Sequence, residues 1–178
     1  MTAFIICACA GCDNDAPVDG HLSLDPVAVW RDGELAIESG IDFEPTAAMR
    51  EALERGVDLQ LKLTIRLSRR LGPVAWLTER RQTTARIRFL PLTEQWQLQA
   101  DGREQNFPRL WLLFEALSQA RDYPTGLSRE SLRNAAWQVQ IRIAFDRAAL
   151  PSPMHLPSLF SPHWQLGGAW HTWQFDRS

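Results

Sequence analysis

Apolar and polar residues alternate strictly over residues 57–68, and this is the clearest pattern in the chain. The apolar members of the run are Val57, Leu59, Leu61, Leu63, Ile65 and Leu67. Because successive side chains of a strand point to opposite faces, the run predicts a half-buried antiparallel strand with one face on a core and one in water. Residues 137–145 alternate in the same way and predict a second long strand.

Shorter segments predict further strands. Residues 27–31 and 35–43 are separated by Asp32-Gly33, a pair of residues typical of a tight hairpin turn. A less regular strand is predicted over residues 74–89, and a short alternating strand over residues 95–99.

Two segments have helical periodicity, over about residues 46–55 and about 107–121. Each carries apolar residues three and four positions apart: Met49, Ala52 and Leu53 in the first, Leu110, Leu113, Phe114 and Leu117 in the second. Gly56 follows the first helix, where a C-cap favours glycine, and Asn106 precedes the second as an N-cap. Residues 122–134 are interpreted as a polar connector.

Strands outnumber helices, and the strands that alternate bury only one face. This combination predicts a mainly β fold, an antiparallel β-sandwich that is immunoglobulin-like in general architecture, with the two short α-helices packed at an edge or across a connection. We divide the chain into an export segment over 1–12, a linker over 13–26 that is rich in Asp, Pro, Gly and Ser, and one domain over 27–178.

Composition limits the classes of function. The 178 residues suit one domain, and 45% of them are hydrophobic, which is enough for a core. No apolar run approaches the length of a membrane-spanning helix. A net charge of −2 argues against a nucleic-acid binder, so no nucleic-acid partner is expected.

All three cysteines lie within the first twelve residues, at Cys7, Cys9 and Cys12. Residues 1–12 are apolar and small and turn abruptly polar at Asp13, as at the end of an export signal. Ala10-Gly11-Cys12 resembles the lipobox of bacterial lipoproteins, in which the cysteine is acylated and becomes the mature N-terminus. No Lys or Arg precedes the short apolar run, so we expect that a basic leader is missing from the start.

Cys12 is therefore the lipidation candidate, and we expect a protein exported to the periplasmic side of a bacterial membrane, lipid-anchored or periplasmic. A competing interpretation of the three cysteines is a metal site with three thiolate ligands, but no second cysteine pair supplies a fourth. No metal and no cofactor is predicted.

Residues 57–90 hold eight basic and two acidic residues, in a chain that is otherwise acidic or neutral. Seven arginines of this stretch surround one predicted hairpin: Arg66, Arg69, Arg70, Arg80, Arg81, Arg86 and Arg88. One interpretation is a solvated sheet face with acidic partners on neighbouring strands. The other is a surface for anionic lipid headgroups or an acidic protein, with Arg66, Arg69, Arg70, Arg86 and Arg88 as its candidate residues.

The eight tryptophans allow a similar choice. Trp96, Trp111 and Trp137 occupy periodic positions and are expected to pack in the core. Trp164, Trp170 and Trp173 lie in a segment rich in Gly and Pro. We expect these three to cover an open end of the sandwich; the alternative is an aromatic interaction patch, for which they are also candidates.

Catalytic motifs are weak. His155, His163 and His171 fall within seventeen positions, but their spacing matches no standard metal site, and no nucleophile elbow accompanies Ser158 or Ser161. No catalytic residue is assigned, and we expect that the protein is not an enzyme. A small hydrolase or metal-dependent enzyme that uses these histidines is one alternative, and a soluble cytoplasmic structural domain is the other.

Several blocks resemble a proteobacterial exported family, the domain of unknown function 4390. The blocks are Asp42–Pro45 leading into Met49–Val57, Arg86–Phe89 with Leu92–Leu98, Phe107–Asp122, and Leu156–Trp173 with its three tryptophans. The resemblance implies one exported domain and supplies no activity. It also hints at envelope signalling, because members are often encoded near a sensor histidine kinase.

These observations together favour a membrane-anchored, non-catalytic binding domain of the bacterial cell envelope. Its expected partners are the membrane, through the N-terminal lipid or signal anchor, and an envelope protein that the sequence does not identify.

Overall fold

The computed structural model describes residues 19–176, and β-strands dominate this part of the chain. Its strands are β1 (His21–Leu24), β2 (Val27–Arg31), β3 (Glu34–Ser39), β4 (Ile41–Glu44), β5 (Leu59–Leu71), β6 (Val74–Leu90), β7 (Gln95–Ala100), β8 (Arg103–Phe107), β9 (Arg121–Ser128), β10 (Ala136–Phe145) and β11 (His171–Phe175). Its α-helices are α1 (Ala47–Glu54), α2 (Leu110–Ser118), α3 (Arg129–Asn134) and α4 (Ser152–Phe160). Two 3-10 turns cover Arg147–Ala149 and Pro162–Trp164.

One antiparallel sheet of six strands organises the domain, in the order β11-β10-β5-β6-β7-β8. Strand β5 is paired along both edges, with β10 on one side and β6 on the other. Leu61 lies opposite Ala85 of β6 and Phe145 of β10. Since opposite residues point to the same face, this register gathers the apolar side chains of three strands on one side of the sheet.

A second layer covers that apolar side. It consists of the two-stranded sheet β1-β4, the three-stranded sheet β2-β3-β9, and helix α2. Phe43 of β4 contacts Phe114 of α2 edge to face, with ring centroids 5.6 Å apart. The two layers enclose one core, whose fully buried members include Leu59, Leu61, Ile141 and Ile143 from the large sheet and Ile37, Leu113 and Leu117 from the covering layer.

Tyr123 of β9, the single tyrosine of the chain, is buried in this core. Burial raises the pKa of its phenol above the ordinary value, because the phenolate would lose its hydration.

Helices α1 and α4 and the two 3-10 turns lie at the end of the domain where β5 begins. The Thr46 hydroxyl caps α1 by accepting from the Met49 amide at 3.2 Å, and it donates to the His163 carbonyl at 3.1 Å. Trp164, in the second 3-10 turn, is buried against Phe145, with ring centroids 5.7 Å apart. Gly56 has a φ of 82°, the left-handed conformation expected just after a helix.

The predicted fold class is confirmed: the domain is mainly β, antiparallel and sandwich-like. Both predicted helices exist, at Ala47–Glu54 and Leu110–Ser118. The second is shorter than expected, and Asn106 is not its cap but part of β8, where it lies opposite Gln97. Arg109 precedes the helix without a side-chain cap.

Two predicted loops contain regular structure. The connector predicted over 122–134 is strand β9 followed by helix α3. In β9 the buried residues Tyr123, Thr125 and Leu127 alternate with residues that are typical of turns, and this conceals the strand in the sequence. The linker predicted over 13–26 is too long, since β1 occupies His21–Leu24 and buries Leu22 and Leu24 in the core. Helix α4 was not predicted, because prolines interrupt its sequence. The predicted export segment 1–12 and the first part of the predicted linker, residues 13–18, lie outside the described residues.

The two faces of β10 differ sharply and can be tested with neighbouring residues. We expect Ile141→Asp to lower the free energy of unfolding by at least about 3 kcal/mol, because it removes buried apolar volume and places a carboxylate in the core. The matched variant Gln140→Asp lies on the opposite face beside Arg66 and should change stability by less than about 1 kcal/mol. Urea unfolding followed by circular dichroism measures both. Equal losses would show that the faces are misassigned.

Candidate functional site

The outer face of the six-stranded sheet, which points away from the core, is polar and open to solvent along most of its length. Its residues come from all six strands and include Gln60, Thr64, Arg66, Arg80, Gln82, Thr84, Arg86, Arg88, Gln97, Gln99, Glu104, Gln138, Gln140, Arg142, Thr172 and Gln174. Most of these side chains are exposed or half-buried. We call this surface the open face.

Trp170 reaches the open face because the chain before β11 runs beside the end of β10. The Phe145 amide donates to the Leu166 carbonyl at 2.9 Å, and the Gly168 amide donates to the Ile143 carbonyl at 3.0 Å. These bonds carry the segment alongside β10 up to His171, which lies opposite Ile141. Trp170, one residue earlier, therefore projects from the same face as Thr172 and half-buries its indole there.

Two arginines lie over the Trp170 ring. The guanidinium carbon of Arg66, on β5, is 4.2 Å from the ring centroid, and that of Arg142, on β10, is 5.8 Å away. Arg142 also donates from Nε to the Gly168 carbonyl at 3.1 Å. Cations within about 6 Å of an indole face are attracted by its quadrupole. Trp170 thus holds two positive charges close together without neutralising either.

A third arginine increases the charge at this point. Arg80 of β6 lies directly opposite Arg66, so two like charges face each other across neighbouring strands. Such a pair is unfavourable for folding. The Nε atom of Arg66 is buried and has no hydrogen-bond partner among residues 19–176. Within the same range, no carboxylate lies at salt-bridge distance from Arg66, Arg80 or Arg142.

These three arginines and Trp170 form what we call the basic cluster. A guanidinium presents a planar set of donors that matches a carboxylate or a phosphate. The glutamines around it add neutral donors and acceptors, and the indole adds apolar area. The cluster is therefore suited to bind an anionic group that belongs to a larger polar molecule.

The predicted arginine surface is divided by the structure into three places. Arg66 belongs to the basic cluster. Arg86 and Arg88 lie farther along β6, at the other end of the open face. Arg88 binds both carboxylate oxygens of Asp58 through three hydrogen bonds of 2.7 to 3.1 Å, and this contact raises the pKa of Arg88. Arg86 donates to Gln60 at 3.4 Å. Of the two interpretations of the basic stretch, Arg88 fits the first, a solvated sheet face with acidic partners on neighbouring strands, because Asp58 neutralises it.

Arg69 and Arg70 lie at the end of the β5–β6 hairpin. Arg70 pairs with Asp176 at 3.0 Å, and Arg69 is exposed. These two residues point to opposite faces of the sheet, so only Arg70 shares the face of Arg66.

The three candidate tryptophans also separate. Trp164 is buried in the core, which excludes it from an exposed surface. Trp173 lies opposite Val139 on the inner face and packs partly buried against the core. Trp170 alone of the three lies on the open face. Trp111, expected in the core, is exposed on α2, because it lies off the apolar stripe of that helix.

The C-terminal histidines make local contacts. The His155 Nε2 atom lies 2.6 Å from the Leu150 carbonyl, and the Ser158 hydroxyl donates to the His155 backbone carbonyl rather than to the ring. His163 Nδ1 lies 3.8 Å from an Asp19 carboxylate oxygen. In the part of the chain that the structure describes, no three His, Cys, Asp or Glu side chains come together as a metal site would require.

Arg142 is not among the candidates that the sequence predicts, and Arg80 is predicted only as part of a basic stretch. The register of the strands brings both residues close to Arg66. On β6, Arg80 lies directly opposite Arg66; on β10, Arg142 lies two residues beyond the residue that is opposite Arg66. Register between distant strands is not visible in a single sequence.

Cys12, the lipidation candidate, lies outside the described residues. Among residues 19–176, no helix combines the length and the apolar character that crossing a bilayer requires.

Comparison with protein families finds a match. The model of the family described as Domain of unknown function (DUF4390) matches residues 25–174, which is most of the chain and includes the whole basic cluster. No curated protein and no solved structure matches.

The two kinds of arginine on β6 should affect folding differently. We expect Arg80→Gln to leave the free energy of unfolding unchanged or to raise it by up to about 1 kcal/mol, because it removes repulsion from Arg66. Arg88→Gln should lower it by about 1 kcal/mol, because Asp58 loses its partner. Urea titrations at low salt measure both. If Arg80→Gln destabilises as much as Arg88→Gln, the basic cluster is a structural feature and not an unsatisfied site.

Proposed function

The chain belongs to the DUF4390 family, and we propose that it is a non-catalytic interaction domain of the bacterial cell envelope. In this proposal the protein is exported, is held at a membrane by its N-terminus, and binds an acidic segment of an envelope protein on the open face.

The observation that carries the binding proposal is the basic cluster. Two arginines lie over one indole, and a third faces one of them across the neighbouring strand. Among residues 19–176, no carboxylate lies at salt-bridge distance from any of the three. Folding alone does not favour a facing pair of arginines, so the arrangement is better explained by a ligand that supplies the negative charge. Aspartate and glutamate side chains provide planar carboxylates, which a guanidinium group binds through two parallel hydrogen bonds.

The breadth of the open face supports a protein as the partner. Glutamines and threonines extend from the basic cluster over neighbouring strands, including Gln82 on β6 and Gln140 on β10. A small anion would contact only the guanidinium groups. A polypeptide segment would also use the amide donors and acceptors, and it would pack against Trp170.

Export and anchoring rest on the sequence before the described domain. Residues 1–12 are apolar and small and end in Ala10-Gly11-Cys12. Diacylation at a cysteine supplies the two chains that stable attachment to a bilayer requires. A link to envelope signalling belongs to the same proposal, because a tethered binding domain suits that role.

The non-catalytic part of the proposal rests on the contacts of the histidines. The ring of His155 and the hydroxyl of Ser158 are each engaged with a backbone carbonyl and not with each other. A nucleophile and its base would need a direct hydrogen bond.

The anchor is tested by exchanging single cysteines in the producing bacterium. We expect Cys12→Ser to move the protein from the membrane fraction, washed at high salt, into the soluble fraction, because the mature protein then lacks its acyl chains. Cys7→Ser and Cys9→Ser are matched controls, since both residues precede the predicted cleavage site. Intact mass of the mature protein should show an acylated N-terminal Cys12. A mature N-terminus elsewhere, or a Cys12→Ser protein that stays with the membrane, contradicts the anchor.

The binding surface is tested by photo-cross-linking in the same cells. A photo-reactive amino acid at Gln140, beside Arg66, should yield a discrete adduct with an envelope protein. Arg66→Gln, Arg80→Gln and Arg142→Gln together should reduce this adduct at least about ten-fold, because the anionic contacts are lost. Added salt should weaken the wild-type adduct, since exposed charges are screened over about 8–10 Å.

Two control sets distinguish binding at the basic cluster from a general loss of positive charge and from a reaction at the histidines. Arg103→Gln, Arg109→Gln and Arg133→Gln remove the same charge from exposed positions outside the open face, and they should leave the adduct intact. His155→Gln, His163→Gln and His171→Gln should leave it intact as well. If the histidine variants abolish function in cells while the basic-cluster variants preserve it, with both proteins folded, the enzyme alternative is favoured.

A further inference from the structure

We infer that the tip of the β5–β6 hairpin, residues 69–77, is a contact site for an anionic lipid bilayer. The tip lies at the end of the sheet, beyond the basic cluster, and the inference requires neither the acidic protein partner nor acylation of Cys12.

The tip exposes an unusual amount of apolar surface. The exposed residues are Leu71 at 71%, Val74 at 48%, Trp76 at 54% and Leu77 at 57% of their full accessible surface. All of them lie within seven consecutive positions of one hairpin. Apolar clusters of this kind on a soluble surface mark a site of association.

The exposed apolar residues occupy both faces of the hairpin. Leu71 pairs with Val74 and Arg69 with Trp76, so these side chains share the inner face. Leu77 pairs with Ser68 and points to the outer face. A protein partner docked on one face would leave the other in water. A bilayer interface surrounds an inserted tip on both sides, which matches this distribution.

The positive charges lie one step behind the apex. Going down from the turn at Gly72-Pro73, the first pair is Leu71 with Val74, the next is Arg70 with Ala75, and the third is Arg69 with Trp76. An apolar apex followed by basic residues matches the sequence of layers from acyl chains to anionic headgroups. Trp76, at the level of Arg69, has the amphipathic side chain that prefers the interface.

The counter-charges near the tip are few. Arg70 meets Asp176, whose carboxylate is highly exposed, and Arg81 meets Glu79. In the described chain no carboxylate lies at salt-bridge distance from Arg69. The tip therefore keeps an excess of positive charge toward a negatively charged surface.

The tip also lies far from the point where the N-terminal segment enters the domain. Asp19 contacts the α1 amide of Ala47 at 2.9 Å, at the end where β5 begins. The thirteen residues of β5 separate the two ends by about 40 Å at about 3.3 Å per residue. A chain anchored near Asp19 and touching lipid at the tip would lie with its long axis along the bilayer.

The experiment uses the full chain with Cys12→Ser, so that no acyl group contributes. The probes are vesicles of phosphatidylcholine with and without phosphatidylglycerol, and co-sedimentation gives the partition coefficient. We expect Trp76→Ser with Leu77→Ser to reduce partitioning to phosphatidylglycerol vesicles at least about ten-fold, because two interfacial anchors are lost. Trp111→Ser with Leu92→Ser is the matched control: it removes the same residue types at exposed sites elsewhere and should change partitioning less than about two-fold.

The charge contribution is measured separately. Arg69→Gln with Arg70→Gln should weaken binding to phosphatidylglycerol vesicles by about five-fold per arginine and leave binding to pure phosphatidylcholine unchanged. Tryptophan quenching by lipids brominated on the acyl chains should decrease in Trp76→Phe relative to the parent protein.

Leu71→Ser with Val74→Ser is a second apolar variant, in case the first does not fold. Partitioning that is equal in the tip and control variants overturns the inference. So does self-association in solution that disappears in the tip variants, because a second copy of the chain would then be the occupant.

Discussion

The pairing of β5 with β6 and β10 at once is the constraint on which the rest of the structure depends. Every second residue of β5 from Leu59 to Leu67 is apolar and buried, and the register extends that apolar face onto both neighbours. A slip of one residue would move these side chains into water and bring Arg66 into the core, at a large cost in free energy. The register is therefore strongly specified, and it fixes the open face as firmly as the core.

The open face is where folding and binding make different demands. Folding requires only that it be polar, and Gln60 and Asp58 show how polar partners can be matched to Arg86 and Arg88. Arg66 and Arg80 depart from that pattern, because they face each other without a described counter-charge. The core is large enough to tolerate this repulsion, since the penalty of a like-charge pair that is still partly exposed is small beside the burial of even one leucine. The stability that comes from the core thus permits an unsatisfied charged site on the open face.

How far the sequence could predict this arrangement depends on the range of each interaction. Period and turn chemistry are local, so β5, β10, α1 and the Asp32-Gly33 turn followed from the residues alone; Gly33 has a φ of 83°. The helix that Asn106 was expected to cap begins later, because cross-strand pairing of β8 with β7 overrides a local capping signal. Strand β9 was missed because polar and turn residues alternate with its buried ones. The sequence could not show that Arg142 lies near Arg66, because their proximity depends on pairing between strands that are far apart in sequence.

The basic cluster and the hairpin tip share the same two strands, and their spacing gives the two surfaces a physical relation. Arg66 and Arg69 are three positions apart on β5, or about 10 Å along the strand. A register shift between Leu67 and Ser68 separates them and increases the local twist. A partner bound at the basic cluster while the tip touches an anionic bilayer would lie within about one Debye length of the headgroups. An acidic segment is repelled at that distance, so the arginines must also compensate for the membrane's charge. This offers a reason for Arg66 and Arg142 to share one indole while Arg80 faces Arg66.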